Sequence, residues 1–321
     1  MKKEAIFISW ESHTRSKSLS DAIGIPLFEI VVVGNRFKRY FFSMIKTALL
    51  IRRINPSVVI VQNPSIVLAF VSILLSLGKR KVVMDAHNAA IYPLEGQCKI
   101  LNRFAWWLLR KSFLVIVTNN DLYREVERLH AKPFLLPDPI PSPPVMPNTF
   151  CKINDKPLQV VLVCTWAPDE PYQSFIEAAR LLCDSGFEMK ITGRPPDHIS
   201  KGGLPKNVNL TGFISKAEYW DLLISSFIIV DLTTRDNCLV CGAYEAAAVG
   251  VPCILSNSDV ARKVFKKGYV FVDNNPMAIA DGILSVKKNH LELRDDIVKF
   301  SASHAAYIRQ VIDFLKTDLE I

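Results

Sequence analysis

The sequence predicts an α/β protein made of two doubly wound, Rossmann-like parallel-sheet domains. Three observations carry that expectation: short apolar runs alternate with helical stretches, a proline-rich break follows, and the alternation then restarts. Strands covered on both faces read as continuous apolar runs, which is the character found here. In the first half these runs are Ala5 to Ser9, Phe28 to Val33, Val58 to Gln62, Val82 to Asp85 and Leu114 to Thr118. The prolines from Pro133 to Pro147 then read as a linker. Beyond it the strand-like runs are Gln159 to Cys164, Glu188 to Thr192, Val208 to Leu210, Phe227 to Asp231, Cys253 to Leu255 and Tyr269 to Val272. The expected organisation is a first domain over 1–140, a linker over 141–157, a second domain over 158–300 and a final helix over 301–321 packing across both. Such a chain leaves a cleft between the domains at the carboxyl ends of both sheets, where ligands of these folds bind.

Composition narrows the class. Of 321 residues, half are hydrophobic and 22% charged, which excludes a disordered chain. Seven cysteines, odd in number and scattered, suit a reducing compartment, and the localisation expected is cytoplasmic. Cys238 and Cys241 form a lone C-x-x-C with no second pair at zinc spacing, so no metal is expected. The opening residues are too short an apolar stretch for a signal peptide. The longest apolar run, Ile66 to Leu77, falls short of the roughly 20 residues of a membrane helix. Net charge is +8, with +10 carried by residues 1–150 and −2 by the remainder. That asymmetry points to an anionic membrane face or nucleic acid, with a solvated basic face as the plain alternative.

The segment from Asn237 to Pro252 is the most informative. Small residues around Glu245 read as a helix that stops at Gly250, with Pro252 barring continuation. Glu245 is then a carboxylate among apolar neighbours, uncompensated in the sequence. It should accept hydrogen bonds, for which the hydroxyls of a sugar or ribose are suitable donors. An ordinary small-residue helix packed on a sheet is the alternative.

This segment resembles the E-x7-E region of GT-B fold glycosyltransferases of the retaining family 4 type. The resemblance implies that Glu245 holds the ribose of a nucleotide-sugar donor. Asn237 stands where the family places the Glu that contacts the transferred sugar, with Asp236 beside it. Val240 and Cys241 depart from the usual residues. After the first strand of the second domain the family commonly has an Arg and a Lys that cradle the diphosphate. This chain has Thr165 and Glu170 there. Compensation for a leaving diphosphate then falls to Arg194 and Arg235, helped by backbone N–H groups of Cys241 and Gly242 at the start of the Glu245 helix. The resemblance further implies a nucleotide sugar as donor substrate, no cofactor, no metal, and a saccharide or lipid-linked acceptor.

On the first domain, Asp85-Ala86-His87-Asn88 follows a strand and looks like the D-x-H-N turn of some GT-B transferases. A near-neutral pKa would let His87 bond the transferred sugar or the acceptor; a turn-capping His is the alternative. After the first strand come Trp10, a candidate sugar-stacking face, and His13 and Arg15, which are placed to face a phosphate or acidic acceptor; a helix-capping cluster reads equally well. Residues 35–53 interleave Arg36, Lys38, Arg39, Lys46, Arg52 and Arg53 with aromatics at helical length. An anionic membrane surface is the expected partner of this helix, and nucleic acid is not expected because no RNA-binding motif accompanies it. The function expected is glycosyl transfer. The alternatives are a sugar-nucleotide epimerase using carboxylates among Glu11, Asp85, Asp169 and Glu170, and a catalytically silent nucleotide-sugar binding protein.

Overall fold

A computed structural model describes residues 4–63, 65–76, 78–144, 157–200, 202–236 and 238–321. Its contacts divide the chain into two compact units, Met1–Pro139 with Ala305–Ile321, and Ile140–His304.

The first unit runs β1 (Ala5–Ser9), α1 (Thr14–Ile23), β2 (Leu27–Glu29), α2 (Arg36–Ile54), β3 (Val58–Asn63), α3 (Ile66–Ser76), β4 (Lys81–Ala86), α4 (Asn88–Ile91), α5 (Lys99–Lys111), β5 (Leu114–Val117), α6 (Asn120–Arg128) and β6 (Pro133–Leu135). The six strands are parallel in the order β2-β1-β3-β4-β5-β6. Successive strand residues point to opposite faces. Ile6, Ile8, Val59, Val61 and Met84 therefore pack with α2, α3, α5 and α6. Ala5, Phe7, Val58 and Ile60 pack with α1 and with Ile308, Ile312 and Leu315 near the chain end. Two expectations are corrected here. The second strand ends at Glu29 rather than Val33, because β2 is an edge strand and the chain leaves its neighbour after the bond from Ile30 N–H to the Ser9 carbonyl. Pro133 opens β6 instead of the linker, since the first residue of an edge strand loses little by lacking an N–H. Most of the expected linker, 145–156, lies outside the described residues.

The second unit runs β7 (Leu158–Leu162), α7 (Tyr172–Leu181), β8 (Phe187–Thr192), α8 (Asp197–Ser200), β9 (Val208–Gly212), α9 (Lys216–Ile224), β10 (Ile228–Asp231), α10 (Cys241–Val249), β11 (Cys253–Ser256), α11 (Asp259–Val264), β12 (Tyr269–Val272) and α12 (Pro276–Leu319). Its strands are parallel in the order β12-β11-β10-β7-β8-β9. The order reverses between β7 and β10, so their carboxyl ends bound the crevice that such sheets use for ligands. Helix α12 begins well before the final helix expected over 301–321 and breaks helical geometry at Asn289. Its first turns were hidden because Ile279, Ala280, Ile283 and Val286 belong to the core of the second unit. Residues through His304 group with that unit and those from Ala305 with the first. Among the described residues no helix is long and apolar enough to cross a membrane.

Candidate functional site

At the carboxyl edge of the second sheet, the loops after β7 and β10 are stitched together. The Asp169 carbonyl accepts from Thr234 N–H at 2.7 Å, and its carboxylate accepts from the Thr233 hydroxyl at 3.1 Å. Arg235 completes the link with an ion pair to Asp169 at 3.2 Å. Glu170, standing where a cationic residue was sought, folds back on its own loop. It accepts from the N–H groups of Thr165 and Ala167, each at 2.9 Å, and from the Thr165 hydroxyl at 2.8 Å. A carboxylate spent this way shapes the turn and adds negative charge to it. The indole of Trp166 donates to the Thr192 carbonyl at 2.9 Å. Gly193 lies so close that a Cβ there would sit 2.4 Å from the Cys164 carbonyl oxygen, which makes glycine obligatory. Arg194 follows directly and is exposed, with no hydrogen bond or ion pair to the described residues.

Helix α10 starts against the end of β10. The buried Asp231 carboxyl accepts from Gly242 N–H at 2.8 Å, and a Cβ on Gly242 would meet that oxygen at 2.5 Å. Burial pushes the Asp231 pKa well above the ordinary range, reinforced by the nearby charges of Glu245, Glu170 and Asp169 and opposed by the Gly242 bond. One turn on, Glu245 is buried, and its Oε2 accepts from the Tyr219 hydroxyl of α9 at 2.5 Å. Burial raises the Glu245 pKa, while the Tyr219 bond and the charge of Lys216 pull it down. The expected uncompensated carboxylate is thus corrected: half of it is satisfied from within the protein. Cys241 and Asp236 are exposed, and Asn237 lies outside the described residues.

The first-unit candidates form a separate cluster. Arg15 is buried and bonds Asp85 bidentately, with contacts at 2.6 and 3.1 Å, and also pairs with Asp138. It braces β4 against the chain after β6 and offers no cation to a phosphate. Trp10 is also reassigned: it is 8% exposed, its Nε1 donates to Thr47 of α2 at 2.9 Å, and its ring meets Tyr40 edge-on. No stacking face remains. His13 caps α1, accepting from Arg15 N–H at 3.2 Å, and its ring centroid lies 5.9 Å from that of His87.

His87 behaves differently from a capping histidine. It precedes α4 without capping it, and its Nε2 is buried with no hydrogen-bond partner among the described residues. Burial drives its pKa down to about 4 despite the opposing charge of Asp85. The near-neutral value expected from the sequence is corrected, and the ring at neutral pH is an uncharged imidazole. Such a ring can hydrogen-bond a hydroxyl but does not serve as a proton source. Asn88 opens α4 beside it and is half-buried. Among the described residues no group of three His, Cys, Asp or Glu side chains is placed to hold a metal ion.

Sequence reasoning missed Tyr219, which lies 26 residues from its partner with no local signal joining them. Asp231 was legible only as the last residue of a strand.

Residues 151–304 match the family model of glycosyl transferases group 1. No curated protein sequence matches the chain. Among solved structures, the chain is similar to the Anabaena protein HepE (Alr3699) in complex with UDP-glucose. The identity is 12%, 98% of this chain and 100% of that one are covered, and the TM-score is 0.71. Sucrose-phosphate synthase from Thermosynechococcus elongatus matches at 12% identity over 98% of both chains, with TM-score 0.71. A Listeria monocytogenes protein assigned as a UDP-N-acetylglucosamine 2-epimerase matches at 12% identity over 99% of this chain and 96% of that one, with TM-score 0.65. The fold is GT-B, two Rossmann-like α/β domains, and the group 1 glycosyl transferase match falls on the second of them.

Proposed function

We propose that this protein is a glycosyltransferase that moves a sugar from a nucleotide-sugar donor to a saccharide or lipid-linked acceptor in glycan biosynthesis, with retention of anomeric configuration. The reading is carried by Glu245, a buried carboxylate held by Tyr219 at the carboxyl edge of the domain that matches group 1 glycosyl transferases. Glu245 holds the ribose hydroxyls by charge-assisted hydrogen bonds. Arg194 and Arg235 meet the diphosphate with the first N–H groups of α10, and Asp236 and Asn237 meet the sugar. In the transfer step a bond forms between the acceptor oxygen and the anomeric carbon as the bond to the donor phosphate breaks. The acceptor proton passes to the leaving phosphate oxygen, so no protein base is consumed. His87, uncharged, orients a hydroxyl on the first unit. No metal or cofactor enters this scheme. The protein works in the cytoplasm, peripheral on an anionic membrane through residues 35–53.

An epimerase is the second reading, favoured by the likeness to the Listeria protein and by the carboxyl groups gathered near Asp231. Glu170 is committed to its own loop, which leaves fewer acids for such chemistry. A panel of labelled nucleotide sugars, beginning with UDP-glucose, separates the readings. Slow release of free nucleotide or transfer to added acceptor supports the transferase, and interconversion of sugars supports the epimerase. Binding without turnover would reduce the protein to a nucleotide-sugar binding module.

A further inference from the structure

Helix α2 is built inside out for a surface helix. The residues it buries are Ser43, Thr47 and Ile51, two of them hydroxylic, whereas Phe37 is 79% and Leu49 61% exposed, with Phe41, Phe42 and Ile45 exposed between them. An ordinary amphipathic helix turns its apolar stripe to the core. Helix α5, on the same side of the sheet, buries Ala105, Leu108 and Leu109 in the ordinary way but also leaves large apolar side chains exposed. Its Ile100 is 81% exposed, with Phe104 and Trp107 exposed beyond it and their rings stacked at 5.9 Å. Helix α3 packs against both, its Phe70 ring lying 5.6 Å from that of Phe104. No Asp or Glu occurs in any of the three helices. To the six basic residues of α2, α5 adds Lys99, Arg103, Arg110 and Lys111, all exposed.

We propose that this face of the first unit, α2 and α5 with α3 between them, docks on an anionic lipid bilayer, α5 being a second contact element that the sequence did not single out. The inference rests on the membrane reading of residues 35–53 given above and extends it to a surface. Exposed aliphatic and aromatic side chains bury into the headgroup boundary while an unbroken basic field meets anionic lipid. A single-stranded nucleic acid would share the basic and aromatic residues but gains nothing from exposed Ile45, Leu49 and Ile100, which offer no face for base stacking. Two spaced helices also fix the orientation of the unit on the membrane, which one helix lying in the interface does not.

The test uses the full chain and vesicles of phosphatidylcholine, with and without phosphatidylglycerol. The wild type is expected to co-sediment with the anionic vesicles only, with a blue shift of Trp fluorescence that Trp107→Phe removes. Lys99→Glu combined with Arg103→Glu and Arg110→Glu should weaken binding by at least about tenfold although α2 is untouched. These side chains are exposed, so thermal melts should not move. If the α5 variant binds like wild type while charge reversal at Arg36, Lys38 and Arg39 removes binding, the α5 surface is refuted and the α2 reading stands. Absence of vesicle binding by the wild type, or preference for a single-stranded oligonucleotide, overturns both. UDP affinity by calorimetry is expected to be the same in all these variants, so failure of the donor-site reading shows up separately.

Discussion

Replacing Tyr219 by Phe deletes one oxygen from the protein, yet it removes the only described hydrogen bond to Glu245. The bond is short, 2.5 Å, and Glu245 is 7% exposed, so water does not substitute freely for the lost donor. A hydrogen bond to a charged group in such a place contributes about 1.5–3 kcal/mol, and Tyr219→Phe should lower stability at pH 7 by that amount. The pH dependence carries a sign. Glu245 already has a pKa raised above its unfolded value by burial, with Tyr219 holding it down. Removing Tyr219 raises it further, so stability should fall more steeply as pH rises from the ordinary carboxylate range toward the raised folded value. Glu245→Ala removes a buried carboxylate but strands the Tyr219 hydroxyl, so it should not raise stability. The assay is urea denaturation of wild type, Tyr219→Phe, Glu245→Gln and the double variant, at pH 5 and 7. A coupling above about 1 kcal/mol at pH 7, with Glu245→Gln also weakening UDP binding by calorimetry, fits the reasoning. Strict additivity would refute it, since two side chains that do not interact lose their contributions independently.

Gly242→Ala forces a Cβ against the Asp231 carboxyl, and overpacking of this kind should cost about 1–3 kcal/mol in a denaturant titration; an unchanged midpoint would contradict the close approach. Arg15→Met leaves Asp85 buried without its partner and should destabilise by about 3–5 kcal/mol, checked by thermal melts with Asp85→Asn as the compensating second change. His87 and His304 both have pKa values lowered by burial to about 4. Their contribution is present above pH 6.5 and lost as pH falls toward 4, up to roughly 3 kcal/mol each, so the double variant His87→Asn/His304→Phe should flatten the acid side of the stability curve. A curve as steep as wild type's would sink that assignment. Arg235→Ala should weaken nucleoside diphosphate binding by about 1.5–3 kcal/mol and leave the nucleoside nearly unaffected; equal losses for both would place Arg235 away from the phosphates.

Much of the architecture was legible because backbone periodicity and burial are local. Val58 to Gln62 and Tyr269 to Val272 are strands because an apolar β-branched run must be covered on both faces. α10 stops at Gly250, as read from the small residues and the Gly-x-Pro that end it. The helix at residues 35–53 was equally plain, and so was its basic and aromatic content. Pro133 misled because a proline is read as a break unless the strand is known to be an edge.

Side-chain partnership was decided by the tertiary structure alone. The same sequence segment held Trp10, His13 and Arg15 as polar-site candidates, yet strand order brings Thr47 to the indole and Asp85 and Asp138 to the guanidinium, across separations of 37, 70 and 123 residues. Arg15 and Trp10 thereby become internal braces, while His87 keeps a buried nitrogen without a partner among the described residues. Glu245 was found by its sequence context, but whether its charge is answered depended on Tyr219 of α9. Periodicity reports which face of an element is covered. It carries no record of which distant side chain arrives there, because that follows from the order in which the strands are laid into the sheet.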